Sequence, residues 1–107
     1  MKRKSDGIDF ADAAIQKAFE KTKGTDKNLH KHLLIAFDDI QDNAFCGIQL
    51  PKKLIPKKYR HLDNLWKYNL PDAWRLIYTI KSPDKVEVIS VILDWMDHKK
   101  YERLFRF

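Results

Sequence analysis

The chain has 107 residues, a hydrophobic share of 44% and a formal net charge of +6, with a sequence pI of about 9.4. That length suits one domain over residues 1–107, burying about 65% of its unfolded surface without covalent staples. No apolar run is long enough to span a bilayer, no signal-peptide core is expected after the basic start, and the lone Cys46 excludes an internal disulfide and a cysteine-rich metal site, which fits a reducing cytoplasm.

The first four residues are a basic, fraying start. Ser5 or Asp6 then caps a first helix, in which Ile8, Ala11, Ile15, Ala18/Phe19 and Thr22 recur at helical spacing. Gly24 is expected to end that helix in the left-handed conformation glycine adopts at little cost. Thr25 caps a second helix with Asp26 in its first turn. Leu29, Leu33, Ala36/Phe37 and Ile40 form its apolar stripe, Leu34 widens it, and it ends near Asn43. Two helices with so short a joint read as a helical hairpin.

Phe45 to Leu50 is short, apolar and contains Gly47; it enters the sheet or packs beneath it. Pro51 and Pro56 bracket a basic connector, and the stretch from Lys57 to His61 is loop or short edge strand. From Asn64 to Trp95 three β-rich runs alternate with two turn clusters, Pro71-Asp72 and Ser82-Pro83-Asp84. They read as an antiparallel meander. Side chains alternate along a strand. Trp74, Leu76, Tyr78 and Ile80 therefore share one face of the middle run, and Arg75, Ile77 and Thr79 the other. Covering the first set with the hairpin leaves Arg75, Lys67 and Asn69 looking out from a partly open face. The third run, Val86 to Leu93, is apolar on both faces, as a central strand is. Asp97 can cap a short C-terminal helix or tail that puts Tyr101, Leu104 and Phe105 on one side.

The charge is segregated. Lys52, Lys53, Lys57, Lys58 and Arg60 lie between Pro51 and His61 with no acid among them, and the tail adds Lys99, Lys100, Arg103 and Arg106 against Glu102. Asp38, Asp39 and Asp42 crowd at the end of the second helix. Such a field favours a polyanion partner, with plain solubility as the alternative. His30, His32, His61 and His98 have no metal-ligand spacing, there is no Ser/His/Asp set, and three glycines are too few for a phosphate-cradling loop. Cys46 reads as a small buried hydrophobe.

The strand sequence NLWKYNLPDAWRLIYTI, the following VEVISVIL and the closing DHKKYERLF resemble the RelE/ParE superfamily of type II toxins, over the C-terminal half in sequence and over the helices in topology. GIQLPKKLIPKKYR resembles archaeal members. The resemblance implies an α+β, two-layer RelE-like fold: an N-terminal helical hairpin on a small antiparallel sheet, then a short C-terminal helix or tail. It implies a cytoplasmic toxin that cuts mRNA on the ribosome with the RNA 2′-hydroxyl as nucleophile, without metal or cofactor, and is held inactive by a cognate antitoxin.

Cleavage by transesterification needs a proton acceptor for the 2′-hydroxyl, cations for the phosphorane and an acid for the 5′-oxygen. Arg75 matches the strand arginine that the family sets at the scissile phosphate, and its planar fork suits that task; a pair with Glu87 or an aspartate is the structural alternative. His98 matches a basic residue at the end of the last strand and can shuttle a proton, or it is an exposed helix-start histidine. Tyr101 matches the tail tyrosine and stacks a base or moves a proton, or it anchors the tail in the core. Arg75, His98 and Tyr101 are thus the catalytic candidates. Lys52, Lys53, Lys57, Lys58, Lys67, Lys99 and Lys100 are the RNA- and phosphate-binding candidates, with a solvated basic surface as the alternative. The ParE branch, which poisons DNA gyrase and is no nuclease, and an inactive nucleic-acid-binding relative are the rival readings.

Overall fold

A computed structural model describes residues 5–82 and 87–105. The basic start, the Pro83-Asp84 turn, Val86 at the start of the third run, and Arg106 and Phe107 lie outside the described residues. The elements run β1 (Gly7–Phe10), α1 (Ala13–Thr25), α2 (Lys27–Asp42), β2 (Ile48–Gln49), β3 (Trp66–Asn69), β4 (Arg75–Lys81), β5 (Ile89–Met96) and α3 (His98–Phe105), with short 3-10 turns at Lys52–Leu54, Lys57–Tyr59 and Pro71–Ala73. The five strands form one sheet in the order β1-β5-β4-β3-β2. The fold is α+β, with a helical hairpin on the sheet and a C-terminal helix.

The meander β3-β4-β5 is antiparallel throughout. Two corrections concern the ends of the sheet and the hairpin. Ile8 does not begin a helix. Gly7–Phe10 pairs in parallel with β5, Gly7 against Ile89 through Phe10 against Ile92, so the sheet is mixed. Ile8 and Ala11 fit a helical period, but Ile8 and Phe10 also alternate. The strand reading satisfies one edge of β5 and turns both side chains onto the core under the hairpin. The α1 cap is Asp12, whose side chain accepts from Ile15 N at 2.9 Å.

The joint between the helices is Asp26 alone. Its backbone N–H bonds the Thr22 carbonyl at 2.9 Å, closing α1, and its carboxylate accepts from Leu29 N at 3.1 Å, opening α2. Gly24 stays helical, and Thr25 bonds back to the Lys21 carbonyl rather than capping α2. One Asp replaces the expected Gly stop and Thr cap, because an extended Asp supplies both the chain reversal and the acceptor that the α2 amides need. Asn43 closes α2.

The α2 stripe is as read: Leu29, Leu33, Ala36 and Ile40 are buried against Leu70, Leu76, Tyr78 and Ile92, with Trp66, Tyr68, Trp74, Ile80 and Trp95 at the margin. Each buried Leu or Ile stabilises by about 1.5–3 kcal/mol relative to exposure. Leu34 stays half-exposed. Gly47 marks a close approach. A Cβ there would sit 2.6 Å from the Lys67 carbonyl and 2.7 Å from Tyr78 Oη, so the strand pair admits only glycine.

The opposite face is less open than its residues imply. Ile77 and Met96 are fully buried on it, under Leu50, Ile55 and Tyr59 from the connector and Tyr101 and Phe105 from α3. A β5 apolar on both sides needs cover on both sides, and the prolines that break the connector let it fold back as two 3-10 turns rather than an edge strand. Between β4 and β5 the register shifts at Ile77/Tyr78, where Asp94 and then Ile92 are the successive partners. The unpaired Leu93 makes a bulge. It keeps Ile92 and Trp95 under the hairpin while Asp94 and Met96 stand opposite Ile77 and Arg75.

Candidate functional site

Arg75 is held by the turn that precedes it. In Leu70-Pro71-Asp72-Ala73-Trp74, Leu70 N bonds the Trp74 carbonyl at 2.9 Å. The reversal requires positive φ at Asp72 (61°) and Ala73 (63°). Asp tolerates this conformation by local bonding; Ala has no such compensation. Trp74 then turns toward the hairpin core and Arg75, one residue on, toward α3.

Directly across β3, Asn69 faces Arg75 and Lys67 faces Ile77, so Lys67, Asn69 and Arg75 share the α3 side. The Tyr101 ring meets both cations there. Arg75 Cζ is 5.8 Å and Lys67 Nζ 5.2 Å from the ring centroid. Arg75 Nη1 donates to the Trp74 carbonyl at 3.1 Å, while Nε is buried without a hydrogen-bond partner among the described residues. Arg75 makes no ion pair with Glu87 or any aspartate there. The carboxylates of the neighbourhood are engaged elsewhere: Asp94 with Lys100 at 3.9 Å, Glu102 with His98 Nε2 at 3.0 Å.

Two like charges over one aromatic ring, in no salt bridge among the described residues, shift the titration of what surrounds them. Burial pushes the Lys67 ammonium below its usual value, and the Arg75 guanidinium adds to this. Burial pushes the Tyr101 phenol up, while Arg75 pulls in the opposite direction. The site therefore offers a phenol that stays protonated at neutral pH, an ammonium whose pKa lies below its usual value, and a guanidinium with a buried N–H.

Tyr101 is 3% exposed, and cations already lie over its ring. Its ring is packed beneath the two cations rather than open as a platform for a base. His98 is brought near but not in. It is exposed at the start of α3, three residues before Tyr101 and thus a neighbour on the helix surface, and its polar partner among the described residues is Glu102. Asp97 caps α3 as read, accepting from Lys100 N at 2.9 Å. Lys99 is exposed.

The connector lysines gather elsewhere on the same side. A groove of about 580 Å³ is lined by Lys53, Lys57, Lys58, Arg60 and Arg103, with Leu54, Ile55, Pro56, Leu104 and Phe105 beneath. Lys52 lines a separate hollow beside Pro51 and Asn64. Arg60 and Arg103 are the additions the structure makes to the candidate residues. Both belong to basic runs visible in the sequence, but only the folded-back connector shows that the two runs face each other. Among the described residues no three His, Cys, Asp or Glu side chains gather closely enough to hold a metal, and no helix is long and apolar enough to cross a membrane.

No family model matches this chain, and comparison with curated proteins and with solved structures likewise gives no match.

Proposed function

We propose that this chain is the toxin of a type II toxin–antitoxin pair: a metal-independent, RelE-like endoribonuclease that cuts mRNA on the ribosome. The observation that carries the reading is the pair Arg75 and Lys67 against one Tyr101 ring, with no carboxylate among the described residues in a salt bridge with either. An unneutralised, partly desolvated cation pair is a site for an anion, and the family resemblance of the strand bearing Arg75 makes that anion the scissile phosphate.

In this reading the Arg75 fork holds the non-bridging oxygens as charge builds on the phosphorane. Lys67 in its neutral form takes the 2′-hydroxyl proton; the 2′-oxygen bonds phosphorus and the bond to the 5′-oxygen breaks. Tyr101 holds Arg75 and Lys67 in place. His98, exposed at the edge of the site with Nε2 beside Glu102, reaches in with bound RNA to give the 5′-oxygen leaving group its proton. The products are a 2′,3′-cyclic phosphate and a 5′-hydroxyl. Because burial lowers the Lys67 pKa, the reactive amine grows as pH rises, with its midpoint below the ordinary lysine value of 10.5.

The test is the full-length protein added to translating ribosomes, with mRNA ends mapped. Cleavage leaving those termini, lost in Arg75→Ala, supports the reading. Intact mRNA together with inhibited supercoiling by gyrase would replace it with the ParE-like one. Cytoplasmic action and an antitoxin partner belong to the same proposal, and co-purification with the product of an adjacent reading frame tests the second.

A further inference from the structure

The groove between the connector and α3 is unused by the chemistry above, and its lining is uniform in charge. Lys53, Lys57, Lys58, Arg60 and Arg103 rim it without one acidic residue, and none of the five is in a salt bridge among the described residues. Two of them are held in place. Arg60 Nε donates to the Ile55 carbonyl at 3.4 Å, and Lys58 Nζ lies 5.4 Å from the centre of the Tyr59 ring. The floor is apolar: Leu54, Pro56 and Leu104 are half-buried over the buried Ile55 and Phe105. A cationic rim above an apolar floor matches a single-stranded nucleic acid, whose backbone needs the rim and whose bases and sugars tolerate the floor.

Position supports this. The Phe105 ring stacks on the Tyr101 ring at 4.5 Å between centroids, and Tyr101 carries Arg75 and Lys67 on its other contacts. Residues 101 and 105 are four apart on α3, about 6 Å along its axis. The groove therefore adjoins the Arg75 site along α3.

We propose that this groove is a second phosphate subsite, holding the RNA backbone that flanks the phosphate at Arg75, with Arg60 and Arg103 as binding residues beside the connector lysines. The proposal rests on the nuclease reading for the direction of the strand, but not for the groove's affinity for RNA.

The test measures binding of 2′-O-methyl oligoribonucleotides, which cannot be cleaved, by fluorescence anisotropy across a salt series. Wild type is compared with the exposed-surface variant Lys57→Gln/Arg60→Gln/Arg103→Gln, and its fold is checked by thermal melting. The wild type should bind a ten-residue oligonucleotide more tightly than a three-residue one. In the triple variant this ratio should collapse toward one, and the slope of log K against log salt should flatten by about 2, the effect of three lost phosphate contacts on a single strand. An unchanged ratio and slope in a folded variant overturns the subsite. So does an acidic peptide that displaces the oligonucleotide more strongly than unlabelled RNA of equal charge, since the groove would then be a protein-docking surface. If Arg75→Ala keeps the length-dependent binding while even wild type cuts no mRNA, the groove stands and the nuclease reading falls.

Discussion

On the hairpin side of the sheet, Tyr78 Oη donates to the Ala44 carbonyl at 2.9 Å and accepts from Gly47 N at 3.1 Å, and Tyr68 Oη donates to Asp39. On the α3 side, Tyr59 Oη and Arg75 Nε are buried without a hydrogen-bond partner among the described residues. Trp66 Nε1 is the one such atom on the hairpin side. Apart from that atom, the buried polar side chains named on the first surface are satisfied. The second holds polar atoms in a desolvated setting and gathers cations around them. A buried unsatisfied donor costs about 1–3 kcal/mol, and such a cost is tolerable in a surface whose polar atoms meet a ligand. Both faces of the sheet carry core; in the proposed function the α3 face carries binding as well, and the parity of a single strand, Trp74 against Arg75, assigns Arg75 to it.

Substitutions sharpen this contrast by what they spare. The largest expected effect on stability is on the hairpin side. Leu33→Ala removes a fully buried side chain and should lower the unfolding free energy by about 2–5 kcal/mol, read by denaturant titration. Gly47→Ala, with its Cβ against the Lys67 carbonyl and Tyr78 Oη, should cost about 1–3 kcal/mol as β2 and β3 part. An unchanged midpoint in either would break the claim that this side is close-packed core.

Ala73→Gly should act in the opposite direction. Relief of the left-handed alanine stabilises by about 1 kcal/mol after the entropy of glycine is offset, seen as a raised melting temperature without loss of the Arg75 site. Tyr59→Phe on the α3 side should change stability by less than about 1 kcal/mol, or raise it, because no hydrogen bond is lost. It should also remove a pH dependence. Burial, with Asp94 adding to it, pushes the Tyr59 phenol from 10.0 to about 12. The unfolded chain therefore releases this proton first, so the contribution of Tyr59 is complete below pH 10 and is lost as pH rises toward 12. A variant with the same alkaline slope as wild type would contradict that assignment.

How far the sequence carried the fold differs by element. The α2 stripe, the β3-β4-β5 meander and the Asp97 cap were legible because each rests on one local signal: a 3.6 period, a 2.0 period, a side-chain acceptor. The strand at Ile8 was not, since four residues satisfy both periods and only the open edge of β5 decides between them. Asp26 was misassigned by one residue because Gly24 and Thr25 are the commoner stop and cap. The face bearing Arg75 was legible from alternation, and its cover was not. Tyr101 reads equally as core or site, and only the packing of α3 shows it to be a wall that contacts both cations. The joining of Arg60 with Arg103 is a long-range event that no local pattern encodes.

The proposed binding role of the α3 face stands or falls on Arg75. Its replacement by alanine should be measured twice on the same preparation: unfolding free energy by denaturant titration, and mRNA cleavage on translating ribosomes. Stability should stay within about 1 kcal/mol of wild type, because the lost ring contact is offset by removal of a buried, unpaired N–H, while cleavage should fall by about 100- to 1000-fold. A variant that loses several kcal/mol of stability and still cuts mRNA at the wild-type rate would make Arg75 a structural residue and contradict the account.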